Sequence, residues 1–219
     1  MTETTQEVRK IGRFRVDQVL VAPGPAPHGL ARNGEFLWIS DDQEHCIFKV
    51  IPETSKVVLK IPFDGDVAGT CWDGSHIWQA DNRTRTISRI DPETGQIDMA
   101  LQVDPGEGGS LGGICYDGVD LWLAVTGTGQ LRRIRTEDGA ILKVHPVEDN
   151  IVGVAHDGRR LWYTEGDSNR VRLLDPATGT SLMSYELEGK PSGIAFTGRN
   201  QFWYCDSENT ELKKLVLVP

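Results

Sequence analysis

Five times along this chain a glycine is followed nine or ten residues later by a tryptophan: Gly29 and Trp38, Gly69 and Trp78, Gly113 and Trp122, Gly153 and Trp162, Gly193 and Trp203. Successive glycines are 40, 44, 40 and 40 residues apart. Nine residues after each tryptophan an apolar residue, Ile47, Ile87, Leu131, Val171 or Leu212, opens another run. A fixed period near 40 marks a repeat architecture, because one such unit cannot bury its apolar face alone and must stack on its neighbours. That periodicity outranks any local reading of secondary structure.

One period, Gly69 to Val103, holds four strand-sized apolar runs: Gly69 to Trp72, His76 to Ala80, Ile87 to Ile90 and Ile97 to Val103. Turn chemistry separates them. Asp73-Gly74 predicts a tight hairpin turn in which positive φ is needed, and Asp91-Pro92-Glu93-Thr94-Gly95 supplies proline to start a turn and glycine to leave it. The first signal recurs at Asp117-Gly118 and Asp157-Gly158, the second at Asp175-Pro176-Ala177-Thr178-Gly179. Four antiparallel strands per period, repeated radially, predict an all-β, five-bladed β-propeller.

The chain ends sharpen this. Ile11 to Val21 reads as one strand with no partner, while the last repeat has only three runs, Gly193 to Phe196, Gln201 to Cys205 and Glu211 to Val218. Closing the ring hides both raw sheet edges if the N-terminal strand completes the last blade. Met1 to Lys10 reads as a disordered polar leader, and residues 11–219 as a single domain with blades near 25–63, 64–103, 104–147, 148–187 and 188–219 plus 11–21. The repeated tryptophans are expected between neighbouring blades, where truncation to Ala costs ~3–5 kcal/mol. Trp72 lies outside that position, with Arg32, Tyr116, His156 and Phe196 at its place in other blades; packing between blades is the favoured reading there too.

A net charge of −9 and a pI near 5.0 leave no basic face for nucleic acid or an anionic membrane. No apolar run is long enough for a signal peptide or a membrane span, which predicts a cytosolic protein. Cys46, Cys71, Cys115 and Cys205 lack metal-knuckle spacing and are expected as free thiols.

Function must lie where repeats differ or polar residues converge. The first strand of each blade begins, and the second ends, on one face of the ring. Three residues after the tryptophans stand Asp41, Asp81, Val125, Glu165 and Asp206; just before the glycines stand His28, Ala68, Gly112, Val152 and Ser192. If both sets line the channel mouth, His28 with these carboxylates would suit a divalent cation, Mg or Ca, or an acid/base pair. His28 and Glu165 are the candidate catalytic residues, and Asp41, Asp81 and Glu165 the candidate metal ligands. The competing reading makes the aspartates caps of their own turns, bonding backbone N–H groups; Glu165 fits a short cap less well. The loop Asp104 to Gly112 carries four extra residues, and Ala22 to Pro27 is proline-rich. A loop lengthened on one face is often functional. Candidate ligand contacts are therefore Asp41, Asp81, Asp206, Arg83 and Glu107, with Arg85 and Arg170 as further cations for an anionic ligand. No nucleotide-loop spacing, serine elbow, H-E-x-x-H or Cys/His pairing is present, so covalent catalysis has no support in the sequence.

Repeats such as Asp157-Gly158-x-x-Leu161-Trp162-Tyr163-Thr164-Glu165-x-x-x-Asn169-x-Val171, together with Pro27-His28-Gly29-Leu30, resemble those of streptogramin B (virginiamycin B) lyase and the wider NHL-like and YncE-like propellers. The resemblance spans all five repeats, through blade-building motifs. It implies a propeller fold and, by the lyase's example, magnesium-dependent chemistry with histidines and glutamates near the channel; His28 and Glu165 are the positions of matching type. The lyase has seven blades. The five-bladed glutaminyl cyclases of plant and bacterial type are a more remote likeness; their glutamate-glycine and threonine-tryptophan-lysine motifs are absent here. The function expected is a small-molecule enzyme at the channel mouth, with metal-assisted or acid/base lyase, hydrolase or cyclase chemistry; the alternative is a propeller module that binds a small ligand or a protein without turning it over.

Overall fold

The computed structural model describes residues 13–148 and 150–218. The predicted leader at Met1 to Lys10, and the first two residues of the predicted closing strand, lie outside them. Among the described residues twenty strands form five antiparallel four-stranded sheets. Blade one is β2 (Pro27–Asn33), β3 (Phe36–Asp41), β4 (Cys46–Ile51) and β5 (Lys56–Pro62). Blade two is β6 (Val67–Trp72), β7 (Ile77–Asp81), β8 (Thr86–Ile90) and β9 (Ile97–Gln102). Blade three is β10 (Ser110–Tyr116), β11 (Leu121–Thr126), β12 (Gln130–Ile134) and β13 (Ile141–Pro146). Blade four is β14 (Ile151–His156), β15 (Leu161–Glu165), β16 (Arg170–Leu174) and β17 (Ser181–Glu186). Blade five is β18 (Pro191–Gly198), β19 (Gln201–Asp206) and β20 (Glu211–Val218), sealed by β1 (Arg13–Val21) on its outer edge. This is the five-bladed propeller with the N-terminal closure that the repeats predict. No helix long and apolar enough to cross a membrane occurs among the described residues.

The glycines mark where the innermost strands meet around the channel. A Cβ on Gly113 would sit 2.7 Å from the Gly153 Cα and the Val154 nitrogen. One on Gly69 would strike Ile114 and Gly113, one on Gly153 the Ser192 carbonyl, one on Gly193 the His28 carbonyl, and one on Gly29 Thr70. Each glycine thus touches the inner strand of the next blade, and the series closes on itself. Only a residue without a side chain permits that approach.

The tryptophans make the blade interfaces. Trp38 packs among Val67, Ile77 and Ile90 of blade two, and Trp78 among Leu111, Ile114 and Leu121 of blade three. Trp122 meets Ile151 and Leu161, Trp162 meets Ile194 and Phe202, and Trp203 meets Leu30 and Leu37 of blade one. Trp72 stacks flat on Trp38, with centroids 6.3 Å apart and planes 8° apart. The four cysteines are buried free thiols, and burial pushes Cys46 up to about 11 and Cys205 to about 12.

The turns explain a second recurring residue. Gly74, Gly118 and Gly158 have φ of 108°, 100° and 89°. The aspartate before each caps the four-residue turn: Asp73 Oδ1 accepts the N–H groups of Ser75 and His76. Its other oxygen accepts the indole N–H of Trp78 at 2.8 Å, as Asp117 does for Trp122 at 3.0 Å and Asp157 for Trp162 at 2.8 Å. One carboxylate therefore ties a turn to an interface tryptophan. Blade one carries Asn33 there, and both Asn33 Oδ1 and Trp38 Nε1 are buried without a partner.

Candidate functional site

The five inner strands all begin at one mouth of the channel. Around it His28, Ala68, Gly112, Val152 and Ser192, the residues preceding the repeat glycines, line a single cavity of about 190 Å³. Its wall is completed by Asp66, Val67, Asn82, Ser110, Leu111, Gly113 and Thr126. The His28 side chain is exposed and has no hydrogen-bond or ion-pair partner among the described residues. Asp66 and Ser110 are exposed as well. Other polar groups are held in place: the Asn82 amide exchanges hydrogen bonds with the backbone of Leu111 at 2.7 and 3.0 Å, and the Thr126 hydroxyl donates to the Ile151 carbonyl at 2.5 Å. Beneath the mouth Thr70 Oγ1 bridges Ser40 and Gln79, while Ser192 Oγ donates to the Pro27 carbonyl. The cavity is thus a rigid, largely apolar cup with one imidazole and one carboxylate free to meet a ligand. Asp66 and Ser110 both stand three residues before a repeat glycine, so the alignment held the signal for them two positions upstream of His28.

The acids lie at the same end of their blades but do not gather. The strand registers set Pro27 opposite Asp41, Val67 opposite Asp81, Ile151 opposite Glu165 and Pro191 opposite Asp206. Each carboxylate is therefore one strand farther out than the cavity, and none lines it. Asp41 Oδ2 accepts the Ala26 N–H, and its Oδ1 accepts those of Gln43 and Glu44. Asp81 Oδ1 accepts from Asp66 and Arg83, and its Oδ2 from the Thr84 hydroxyl. Asp206 accepts from Lys190 and Glu208 on one oxygen and from Asn209 and Lys213 on the other. Burial alone would raise the Asp206 carboxyl, but these bonds, led by the Lys213 ammonium at 2.6 Å, outweigh it and hold the group below the usual aspartate range. Every aspartate caps its own turn and also pins the loop that leads into its blade. Glycine in that loop makes room: a Cβ on Gly24, Gly65 or Gly189 would run into Asp41, Asp81 or Asp206.

This corrects the expected metal site. Among the described residues no three His, Cys, Asp or Glu side chains are gathered to hold a metal ion. Asp41 and Asp81 have their oxygens engaged by N–H and O–H donors, and Glu165 is closed off by bonds to Ser168 and Arg172. The residues present do not fit a divalent cation. Around Glu165, Arg172 also pairs with Glu148 at 3.2 Å, and Glu148 accepts the Tyr163 hydroxyl at 2.7 Å. Burial and that bond hold the Tyr163 phenol well above its ordinary range. Burial works against the charge on Arg172, but Glu165 and Glu148 more than offset it and raise the guanidinium. The network is the counterpart in blade four of the aspartate clamp.

Blade three has Val125 instead of an acid, and Arg132 does the clamping, donating to the carbonyls of Asp104 and Pro105 at 2.6 and 2.9 Å. The long glycine-rich loop is thus fastened at its start. Glu107 within it is exposed and outside the cavity wall. Arg83 is outside the cavity wall as well, bonded to the carboxylate and carbonyl of Asp64. Of the predicted site residues, the structure brings only His28 to the cavity.

No protein-family model matches the chain, and no curated protein matches it. Its fold does match solved structures. The glutaminyl cyclase of Myxococcus xanthus superposes with a TM-score of 0.80 at 16% identity, over 95% of this chain and 98% of that one. Virginiamycin B lyase from Staphylococcus aureus gives 0.57 at 21% identity over 91% of this chain and 69% of that one. A streptogramin B lyase gives 0.58 at 14% identity over 94% and 98%. At these identities the likeness is one of fold, and it is the fold that the sequence resemblance implied.

Proposed function

We propose that the protein is an enzyme acting on a small molecule at the His28 mouth, by acid/base chemistry of the lyase, hydrolase or cyclase type. The observation that carries this is the unpartnered His28 imidazole in a cavity lined by all five inner strands. Histidine is the side chain best suited to exchange a proton near neutral pH. Asp66, on the same wall, is a second group able to take or give a proton or to hold a cationic part of the substrate, and Ser110 offers a hydroxyl for orientation. Apolar walls formed by Val67, Leu111 and Val152 would exclude water from the bound face of the substrate. Similarity in fold to a cyclase and to lyases is compatible with this reading. The acids of the second strands serve the scaffold and take no part in it.

One observation favours a second reading, that the same cup binds a small ligand without transforming it. His28 has no neighbouring side chain bonded to it to set its tautomer, as catalytic histidines commonly do. Both readings are tested by one experiment. A panel of small amides, cyclic esters and amino-acid derivatives is added to protein labelled with ¹³C at histidine Cε1, and turnover is followed by mass spectrometry in parallel. Turnover that disappears in His28→Ala, with Tm unchanged, supports catalysis. A shifted His28 resonance without turnover selects the binding reading, and turnover undiminished in His28→Ala sinks the role of the imidazole.

A further inference from the structure

The opposite end of the channel is lined by one residue from each blade at the same repeat position: Arg32, Trp72, Tyr116, His156 and Phe196. They stand at or near the ends of the inner strands β2, β6, β10, β14 and β18. They ring a cavity of about 90 Å³ floored by the alanines and cysteines one residue earlier in each strand. All five are half-buried. A ring that served only to plug the channel would close this space. Instead Trp72 is backed by Trp38, and Phe196 is braced by Phe202 with centroids 5.1 Å apart. The aromatic walls are therefore fixed before any ligand arrives.

Charge selects what such a cage can hold. No carboxylate lines it. Arg32 Nε donates to the Gly34 carbonyl at 2.7 Å, which orients the guanidinium, while its two Nη groups have no partner among the described residues. Burial lowers His156 below the ordinary imidazole range, so this ring is neutral near pH 7 and adds a flat surface, not a second charge. A single cation among aromatic walls repels a cationic guest. It accepts a carboxylate on the free edge of the guanidinium fork, and the aromatic faces take a flat ring beside it. A sealed apolar cavity of ~150 Å³ holds benzene; the smaller, open cage takes part of a ring and leaves the rest at the rim with Arg32. We infer that this end of the channel is a binding site for a small planar aromatic carboxylate of about benzoate size. It is separate from the His28 mouth and stands whether or not catalysis occurs there.

Sodium benzoate is the probe, with benzyl alcohol and benzyltrimethylammonium as neutral and cationic controls. Binding is followed by calorimetry and by the Trp72 indole resonance, in the wild type and in Arg32→Gln, Arg32→Lys and His28→Ala. Saturable benzoate binding that shifts Trp72 is expected, weakened about tenfold or more in Arg32→Gln, since a charge-assisted hydrogen bond is lost. Arg32→Lys keeps the charge but not the fork and should fall in between, while His28→Ala should bind as the wild type does. Benzyl alcohol should bind at least about tenfold more weakly than benzoate. The inference is overturned by no saturable shift at Trp72, by equal affinity for benzyl alcohol or the quaternary ammonium, or by undiminished affinity in a folded Arg32→Gln protein.

Discussion

Replacing Asp81 with Ala separates the two roles the sequence allows for the second-strand acids. Asp81 is 4% exposed, and Oδ1 accepts the N–H groups of Asp66 and Arg83, each at 2.9 Å. The bond from Thr84 at 2.7 Å involves a hydroxyl that can turn to water and counts for little. Two backbone bonds to a charged acceptor, at about 1.5 kcal/mol each, give a loss of about 3 kcal/mol. At about 2–4 °C per kcal/mol for a chain of this size, Tm should fall by about 6–12 °C. The comparison variant is Asp64→Ala, whose side chain is 95% exposed and meets only Arg83; surface pairs of that kind contribute at most about 1 kcal/mol. Thermal unfolding followed by circular dichroism, with and without Mg²⁺ and with chelator, checks both. A fall of less than about 2 °C in Asp81→Ala would refute the clamp. So would a Mg²⁺-dependent rise in the wild-type Tm that the variant lacks, because Asp81 would then be a metal ligand.

Other expectations follow from the ring and its turns. Gly113→Ala places a Cβ against backbone atoms of Gly153 and Val154 that cannot move aside, and should cost about 3 kcal/mol or more in a urea titration. Gly74→Ala has no atom within 4 Å and meets only the strain of a φ of 108°, about 1–2 kcal/mol; equal losses in the two variants would refute close approach as the reason for the repeated glycine. Asn33→Asp supplies blade one with the carboxylate that blades two, three and four use, and should stabilise the protein by about 1 kcal/mol through the unpartnered Trp38 Nε1. A lower Tm in that variant would show that Trp38 needs no acceptor.

The number of blades, their closure by the N-terminal strand and the burial of Trp38, Trp78, Trp122, Trp162 and Trp203 were legible in the sequence. These features are periodic or local: a 40-residue spacing, an Asp-Gly turn and an unpaired strand at each chain end leave few alternatives. The place of the His28 cavity was legible too, since strand direction puts His28, Ala68, Gly112, Val152 and Ser192 at one mouth. What the carboxylates do was not. The repeat position gives the direction of the Asp41, Asp81 and Asp206 side chains, but their availability depends on N–H groups from loops of unrelated sequence, Ala26, Asp66 and Lys190. Glu165 looked available for chemistry until Arg172 and Ser168 closed on it. Asp66 stands at a fixed place in the repeat, three residues before Gly69, but only the curvature of the ring shows that this place shares a cavity with His28. Periodicity determined the scaffold, while through-space pairing between segments of unlike sequence decided which polar groups remain free to act.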